Sequence, residues 1–187
     1  MTLTRQPTLR TPGEGRTVAV VGDVYRFLAT GEETGGRYAL WEAVVPPGGG
    51  PPPHVHSREE EGFYILEGEI TFTVNGERVV ARAGTFANMP VGTPHSFKNE
   101  GNEPAKILIW VAPAGLERML FEVGRPVPEG TQAAPPPRGR RSSGWWPSHR
   151  NTGSRSDGEA AAGHPPGTRM PSGTTGRAGA GWAKASP

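Results

Sequence analysis

The chain has 187 residues, enough for one domain of ordinary size, and its lack of cysteine excludes disulfides and thiolate chemistry. Only 34% of the residues are hydrophobic, and 28 glycines and 21 prolines make up about a quarter of the chain, which favours a chain that folds only in part. Residues 1–133 carry 12 basic and 16 acidic side chains, a formal charge of −4, whereas residues 134–187 carry 8 and 2, a formal charge of +6. The basic character therefore belongs to the C-terminal part and does not indicate nucleic-acid binding by the rest.

The chain starts with a polar stretch, residues 1–16, which we predict to be a flexible N-terminal arm without the apolar run of a secretory signal. Residues 17–123 are rich in β-branched and aromatic residues and are interrupted by glycine and proline, which is typical of an all-β domain made of many short strands. A turn over 30–36, an Asn75-Gly76 hairpin and a short helix over 115–121 are also expected. The predicted strands cover 17–21, 23–29, 37–45, 54–56, 62–66, 69–74, 77–81, 85–89, 95–98 and 106–111.

The C-terminal part, residues 124–187, is predicted to be a disordered low-complexity tail. From 134 onward it contains no Leu, Ile, Val, Phe or Tyr, so it cannot bury enough apolar surface to offset its ordering entropy. Its composition resembles an out-of-frame translation of GC-rich DNA, and we hypothesise that the reading frame was lost near 135–138.

Trp145 and Trp146 beside several arginines are a weak signal for nucleic acid, and we expect no such partner. No apolar run is long enough to span a bilayer, so we expect no membrane partner and a soluble, cytoplasmic protein.

The candidate chemistry lies in two glycine-punctuated segments that hold three of the five histidines. His54 and His56 are two residues apart, so on a strand they point to the same face. Glu61 follows a short loop at the start of the next predicted strand, and His95 follows the proline-stiffened turn 90–94. Three nitrogens and one oxygen suit one divalent transition metal, namely Fe, Mn, Ni, Co, Cu or Zn, and octahedral geometry would leave two positions open.

These two segments resemble the two motifs of the cupin superfamily, G-x5-H-x-H-x4-E-x6-G and G-x5-P-x-G-x2-H-x3-N. Every fixed position is filled, by Gly48, His54, His56, Glu61 and Gly68 in the first motif and by Gly84, Pro90, Gly92, His95 and Asn99 in the second. The resemblance covers roughly 18–123 and implies an antiparallel double-stranded β-helix, or jelly-roll, barrel that holds its metal on His54, His56, Glu61 and His95. Residues 27–36 also look like the N-terminal part of small bacterial, quercetin-dioxygenase-like cupins.

The narrower resemblance implies a metal-dependent dioxygenase acting on a small molecule such as a flavonol, with Glu61 as a metal ligand and as a catalytic base. A cupin that binds a small molecule without converting it is the alternative, and a sugar isomerase or epimerase is a third. The resemblance and the edge strands of a barrel both suggest a homodimer.

Aromatic side chains are the candidates for the lining of a substrate pocket. Strand parity places Phe63 on the face of Glu61 and Phe97 on the face of His95. Four more aromatic residues could line the barrel, with core packing as the other interpretation: Trp41, Phe72, Phe86 and Trp110. Glu59 and Glu60 are expected to be solvated acids of the loop, although Glu60 would replace Glu61 as the ligand if the loop is one residue shorter. Asn99 is expected to cap a turn.

Overall fold

The computed structural model describes residues 5–135, and these residues form the expected jelly-roll of antiparallel sheets. Ten strands and two helices occur in this part of the chain. The strands are β1 (Thr17–Val20), β2 (Asp23–Ala29), β3 (Ala39–Val45), β4 (Glu60–Glu67), β5 (Glu69–Val74), β6 (Glu77–Arg82), β7 (Phe86–Met89), β8 (His95–Lys98), β9 (Ala105–Ala112) and β10 (Arg125–Val127). The helices are α1 (Gly31–Thr34) and α2 (Leu116–Val123).

Two sheets enclose the core. The larger has the order β10-β1-β2-β3-β9-β4-β7, and the smaller has the order β6-β5-β8. β3 and β9 alternate strictly between buried and half-buried residues, because every second side chain points inward. The inner faces meet through aromatic rings, and the centroids of Phe63 and Phe72 are 5.0 Å apart. The sheets therefore share one apolar interior, with the polar groups described below set into it.

The structure differs from the sequence prediction in three elements. Residues 54–56 were expected to form a strand, but only His54 is paired, as an isolated bridge to His95, because beyond it His56 faces the turn at Gly92 rather than a second strand. The predicted turn contains the one-turn helix α1, which begins at a capping box formed by Thr30 and Glu33. Strand β10 pairs with β1, so the folded sheet extends past the boundary predicted after residue 123.

The arm and the tail were predicted from composition alone. Residues 5–16 contain no helix or strand, yet Arg10 pairs with Glu33, and Arg16 lies over the ring of Phe121 in α2. Residues 1–4 and 136–187 lie outside the described residues, together with the hypothesised frameshift and the Trp145-Trp146 patch. Neither helix found between residues 5 and 135 has the length and apolarity needed to cross a membrane.

Candidate metal centre

Four side chains from separate places in the sequence converge inside one end of the barrel. The candidate ligand atoms of His54, His56, Glu61 and His95 all lie within 4.8 Å of one another. Glu61 Oε2 is the common point, at 3.0 Å from Nε2 of His56 and 3.0 Å from Nε2 of His95. Nε2 of His54 is 3.9 Å from the same oxygen. The structure thus brings together the whole ligand set predicted from the motif spacing.

Backbone pairing holds the two motif segments against each other. His54 and His95 exchange both backbone hydrogen bonds, at 2.9 and 3.0 Å. The N–H of Gly92 donates to the carbonyl of His56 at 2.9 Å, and Gly92 has a φ of +83°, a conformation in which glycine is unstrained. The turn before His95 therefore packs directly on the segment that carries the first two histidines.

Strand β4 supplies the carboxylate. Glu61 is buried at 5% exposure and points inward, because it is opposite Val111 of β9 and Met89 of β7, which both face the core. Glu60 points outward, is exposed, and accepts a hydrogen bond from the Asn88 side chain. The alternative in which Glu60 replaces Glu61 therefore does not apply.

Asn99 ties the glycine loop to the end of β8. Its side chain, 1% exposed, donates to the carbonyls of Val45 and Glu103 and accepts from the N–H of Gly101. Its backbone also exchanges hydrogen bonds with Gly48 and Gly49. The expectation that Asn99 caps a turn is confirmed, and that turn comprises residues 99–103 between β8 and β9. The remaining bonds of Asn99 tie this turn to the loop that leads to His54.

The hydrogen bonds of two histidines define which ring nitrogen faces the cluster. Nδ1 of His54 lies 2.9 Å from the carbonyl of Pro52, and Nδ1 of His95 lies 2.9 Å from the carbonyl of Thr93. A carbonyl only accepts, so both Nδ1 atoms carry hydrogen, and Nε2 of each neutral ring presents a lone pair. This is the arrangement that metal-ligating histidines adopt, with the second nitrogen fixed by a backbone oxygen.

The electrostatics of Glu61 favour its ionised form. Burial alone would raise the pKa of this carboxyl, but hydrogen bonds from the three imidazoles, when they carry a proton on Nε2, outweigh burial and hold the pKa well below its usual range. Two neutral imidazole lone pairs facing a carboxylate oxygen would repel it unless a proton or a cation lay between them. The arrangement is therefore suited to a bound positive charge.

The spacing of the cluster also fits a transition metal. Ligand atoms about 2.1 Å from one ion are about 3.0 Å apart when they subtend a right angle at it. The two separations of 3.0 Å match that value, and 3.9 Å corresponds to a wider angle. Any separation near the 4.8 Å limit of the cluster would shorten to at most about 4.2 Å around one ion. Nitrogen and oxygen donors do not select one ion, and the geometry leaves the metal unidentified.

The aromatic residues expected around the pocket divide into two groups. Phe63, Phe97, Phe72 and Trp41 are buried inside the barrel, and the ring of Phe63 lies 6.1 Å from that of His95. Phe86 and Trp110 do not line the interior. They lie on the outer face, because Ala87 and Met89 of β7 and Ile109 and Val111 of β9 are the residues that point inward.

One acid of the region departs from expectation, and the two nearby tyrosines lie in different environments. Glu59 is half-buried and pairs with Arg58, rather than being fully solvated. Tyr64 is exposed on the outer face, whereas the hydroxyl of Tyr25 is buried and donates to Oδ2 of Asp23 at 3.1 Å. Asp23 was not identified from the sequence, although an acid at an inward position of a strand was available as a signal.

Asp23 is a buried carboxyl that faces the same interior. It is 4% exposed, and the hydroxyl of Tyr25 and the backbone N–H of Gly50 face it. Burial raises the pKa of Asp23 to about 7, while the hydroxyl of Tyr25 and the backbone N–H of Gly50 oppose the rise. The barrel therefore contains a second acidic group whose charge is costly at neutral pH.

Comparison with known proteins agrees with the fold and the site. The family model described as "Cupin domain" matches residues 41–111, which include all four cluster residues. The chain is 30% identical over 125 residues to quercetin 2,3-dioxygenase of Bacillus subtilis, covering 65% of this chain and 36% of that protein. It is 32% identical over 117 residues to the tetracenomycin polyketide synthase protein TcmJ of Streptomyces glaucescens, covering 62% of this chain and 78% of that protein.

A solved structure shows the same architecture. The predicted oxalate decarboxylase of Thermotoga maritima has a TM-score of 0.50 and 26% identity, covering 53% of this chain and 92% of that one. The chain spans about a third of the Bacillus dioxygenase that it matches.

Proposed function

This chain belongs to the cupin family, and we propose that it is a metal-dependent dioxygenase that acts on a small, electron-rich molecule of the flavonol type. The observation that carries the proposal is the convergence of three imidazoles on one buried carboxylate. The similarity to a quercetin 2,3-dioxygenase supports the choice of reaction.

The residues that would hold the ion are His54, His56, Glu61 and His95. An ion held there would leave coordination positions for substrate and O₂ and would orient the two toward each other. In an oxidative ring cleavage that places both atoms of O₂ in its products, the substrate itself would supply the four electrons that O₂ takes up, so the reaction would need no external reductant. The chain itself fixes the orientation of two ligands, because the carbonyls of Pro52 and Thr93 hold the rings of His54 and His95 with Nε2 toward the cluster.

Glu61 is the residue to which we assign the acid–base step. Its carboxyl is ionised and can accept a proton, but its low pKa makes it a weak base. The transfer would therefore require an ion held by the cluster to lower the pKa of the substrate hydroxyl bound beside it. Phe63 and Phe97 are buried in the interior of the barrel and exclude water from that side of the cluster. A substrate would therefore enter near His54, whose side chain is 22% exposed.

Metal content is the first test. Purified full-length protein should contain close to one transition-metal ion per chain by elemental analysis, and His56→Ala or His95→Ala should remove most of it while the barrel stays folded. His149→Ala is the matched control, because this histidine comes from the C-terminal part of the sequence. Unchanged metal content in His95→Ala would refute the ligand assignment.

Turnover is the second test. Protein loaded separately with each candidate metal should consume O₂ in the presence of a flavonol, and Glu61→Gln should lower kcat by at least about 100-fold. Circular dichroism and metal analysis of the Glu61→Gln protein would show whether the loss arises from the missing base or from a missing ion. If no metal form consumes O₂ with a panel of flavonols and diketones, the dioxygenase proposal is wrong.

A binding protein without catalysis is the second candidate, and one observation favours it. Glu61 is enclosed by three imidazoles, so a bound ion would use the only acid of the cluster as a ligand and restrict its freedom as a base. A molecule that raises the melting temperature of the metal-loaded protein and is recovered unchanged after aerobic incubation would support this candidate. The sugar isomerase expected as a third possibility has no comparable support in the site.

A further inference from the structure

The loop that joins two of the cluster residues has little backbone support of its own. Residues 57–59 separate His56 from β4, which carries Glu61, and they belong to no helix or strand. Within residues 5–135, the turn and loop hydrogen bonds between backbone groups include none from these three residues. Nε2 of His56 nevertheless lies 3.0 Å from Oε2 of Glu61, so side-chain contacts must fix the path of the chain between them.

Arg58 ties this loop to the connection between β9 and α2. Its Nη2 donates to the carbonyl of Ala114 at 2.6 Å, and its Nε donates to Oε1 of Glu59 at 2.8 Å. Ala114 is buried at 8% exposure and lies 56 positions further along the chain. Hydrogen bonds from a charged donor are stronger than those between neutral groups. The guanidinium thus joins the loop to a distant, buried part of the backbone.

Gly115 leaves the space that the guanidinium occupies. An added Cβ at this position would lie 2.1 Å from Nη2 of Arg58 and 3.7 Å from Oε1 of Glu59. Gly115 also has a φ of +147°, a conformation that other residues rarely adopt. The backbone of the connection is therefore shaped to let Arg58 approach it closely.

The other side of this contact is fixed to the barrel. The N–H of Ala114 donates to the carbonyl of Gly36 at 3.0 Å. The carboxylate of Glu117, 3% exposed, accepts from the N–H of Gly115 at 2.7 Å and from that of Gly31 at 3.0 Å. The loop is therefore held against a support that is itself bonded to α1 and to the turn that follows it.

We propose that Arg58 is a positioning residue of the metal centre, whose bond to Ala114 holds residues 57–59 in the path that sets His56 and Glu61 at the separation of two ligands. The inference rests on the metal site of the proposed function. Arg58 acts through the loop, because its hydrogen bonds go to the loop and to the connection after β9 and not to a candidate ligand. Arginine suits this role, since its planar guanidinium donates to two acceptors at a fixed angle, which lysine cannot reproduce.

Metal affinity is the test, with Co²⁺ as the probe and the full-length chain as the protein. Competition with a chelator gives the Kd for Co²⁺, and the visible absorption spectrum of bound Co²⁺ reports the geometry of its ligands. Arg58→Ala should weaken binding at least about 10-fold and change this spectrum, while circular dichroism shows an unchanged fold. Arg58→Lys should recover part of the affinity, because an ammonium can still donate to the carbonyl of Ala114.

Two further variants show whether the effect belongs to this contact. Arg82→Ala is the matched control and should bind Co²⁺ as the unaltered protein does, because Arg82 also pairs with an acid, Glu69 at 2.9 Å, but in the smaller sheet. Gly115→Ala keeps Arg58 but places a Cβ where its guanidinium lies, so it should weaken binding as well. Since both substitutions break one contact, the double variant should bind Co²⁺ about as tightly as the weaker of the two single variants.

The outcomes separate this inference from the proposed function. An unaltered protein that binds no Co²⁺ would refute the metal site and the inference together. If the unaltered protein binds Co²⁺ and the folded Arg58→Ala protein has the same affinity and spectrum, the metal site stands and the role of Arg58 is overturned. Equal weakening by Arg82→Ala, or independent losses in the double variant, would also contradict the role of Arg58.

Discussion

Replacing Asp23 with Asn should stabilise the protein at neutral and alkaline pH. The carboxyl of Asp23 is buried at the start of β2, where Oδ2 accepts from the hydroxyl of Tyr25 and the backbone N–H of Gly50 also faces the carboxyl. Asn keeps the shape and an oxygen that can accept from Tyr25, but it cannot ionise. The substitution therefore removes the cost of a buried charge while leaving the surrounding packing in place.

The expected magnitude follows from the pKa of Asp23, which burial raises from 3.8 to about 7. Each unit of difference between the folded and unfolded states corresponds to about 1.4 kcal/mol, so the total is about 4 kcal/mol. Below pH 4 the carboxyl of Asp23 is protonated in both the folded and the unfolded state, so its ionisation does not lower the stability of the wild type. Between pH 4 and 7 only the unfolded state releases its proton, so wild-type stability falls relative to the Asn variant as pH rises. Above pH 7 the difference stays constant.

Urea unfolding at several pH values, with metal content held equal, measures this difference directly. The free energy of unfolding of Asp23→Asn minus that of the wild type should grow by about 4 kcal/mol from about pH 4 to about pH 8. Glu77→Gln is the control, because Glu77 is exposed on β6 and its substitution should give a much flatter difference. A difference that does not change with pH would refute the reasoning, and a difference that shrinks as pH rises would show that the shift has the opposite sign.

Three further substitutions test the contacts that hold the barrel together. Gly62→Ala should destabilise the protein by at least about 2 kcal/mol and shift the tryptophan fluorescence, because the added Cβ would overlap the indole of Trp110. Unchanged stability and fluorescence would count against the packing described. Asn99→Ala should cost about 1–3 kcal/mol in urea unfolding, because the buried carbonyl of Val45 and the backbone groups of Gly101 and Glu103 lose their partner; a cost below about 0.5 kcal/mol would contradict this. Glu117→Gln should lower stability by about 2 kcal/mol, since the 3%-exposed carboxylate accepts from two backbone amides; an unchanged urea midpoint would show that those bonds are dispensable.

The site could be predicted from the sequence because its four residues lie within two short motifs of fixed spacing. His54 and His56 are two residues apart, so their side chains point to the same side of an extended chain. Glycines and prolines of the motifs mark the turns that bring His95 and Glu61 close. Strand positions were predictable for the same reason, since inward residues repeat every second position.

The features that were missed depend on distant pairing. β10 has only three residues, one of them Pro126, and becomes a strand because β1 offers an edge to it. Trp110 and Phe86 were assigned to the interior because a bulky aromatic residue looks like a core residue. Their place on the outer face follows from which neighbours in β9 and β7 point inward, and for Trp110 from the space left by Gly62.

The backbone bridge between His54 and His95 has a consequence for folding. These residues are 41 positions apart in the sequence, and an ion held by both would fasten the two segments at the point where their backbones already meet. Ions that bind the folded barrel in preference to the unfolded chain shift the folding equilibrium toward the barrel, and more so as the free metal concentration rises. We therefore expect chelation to lower the melting temperature of the whole barrel as well as any activity, so that the supply of metal also determines how much of the protein is folded.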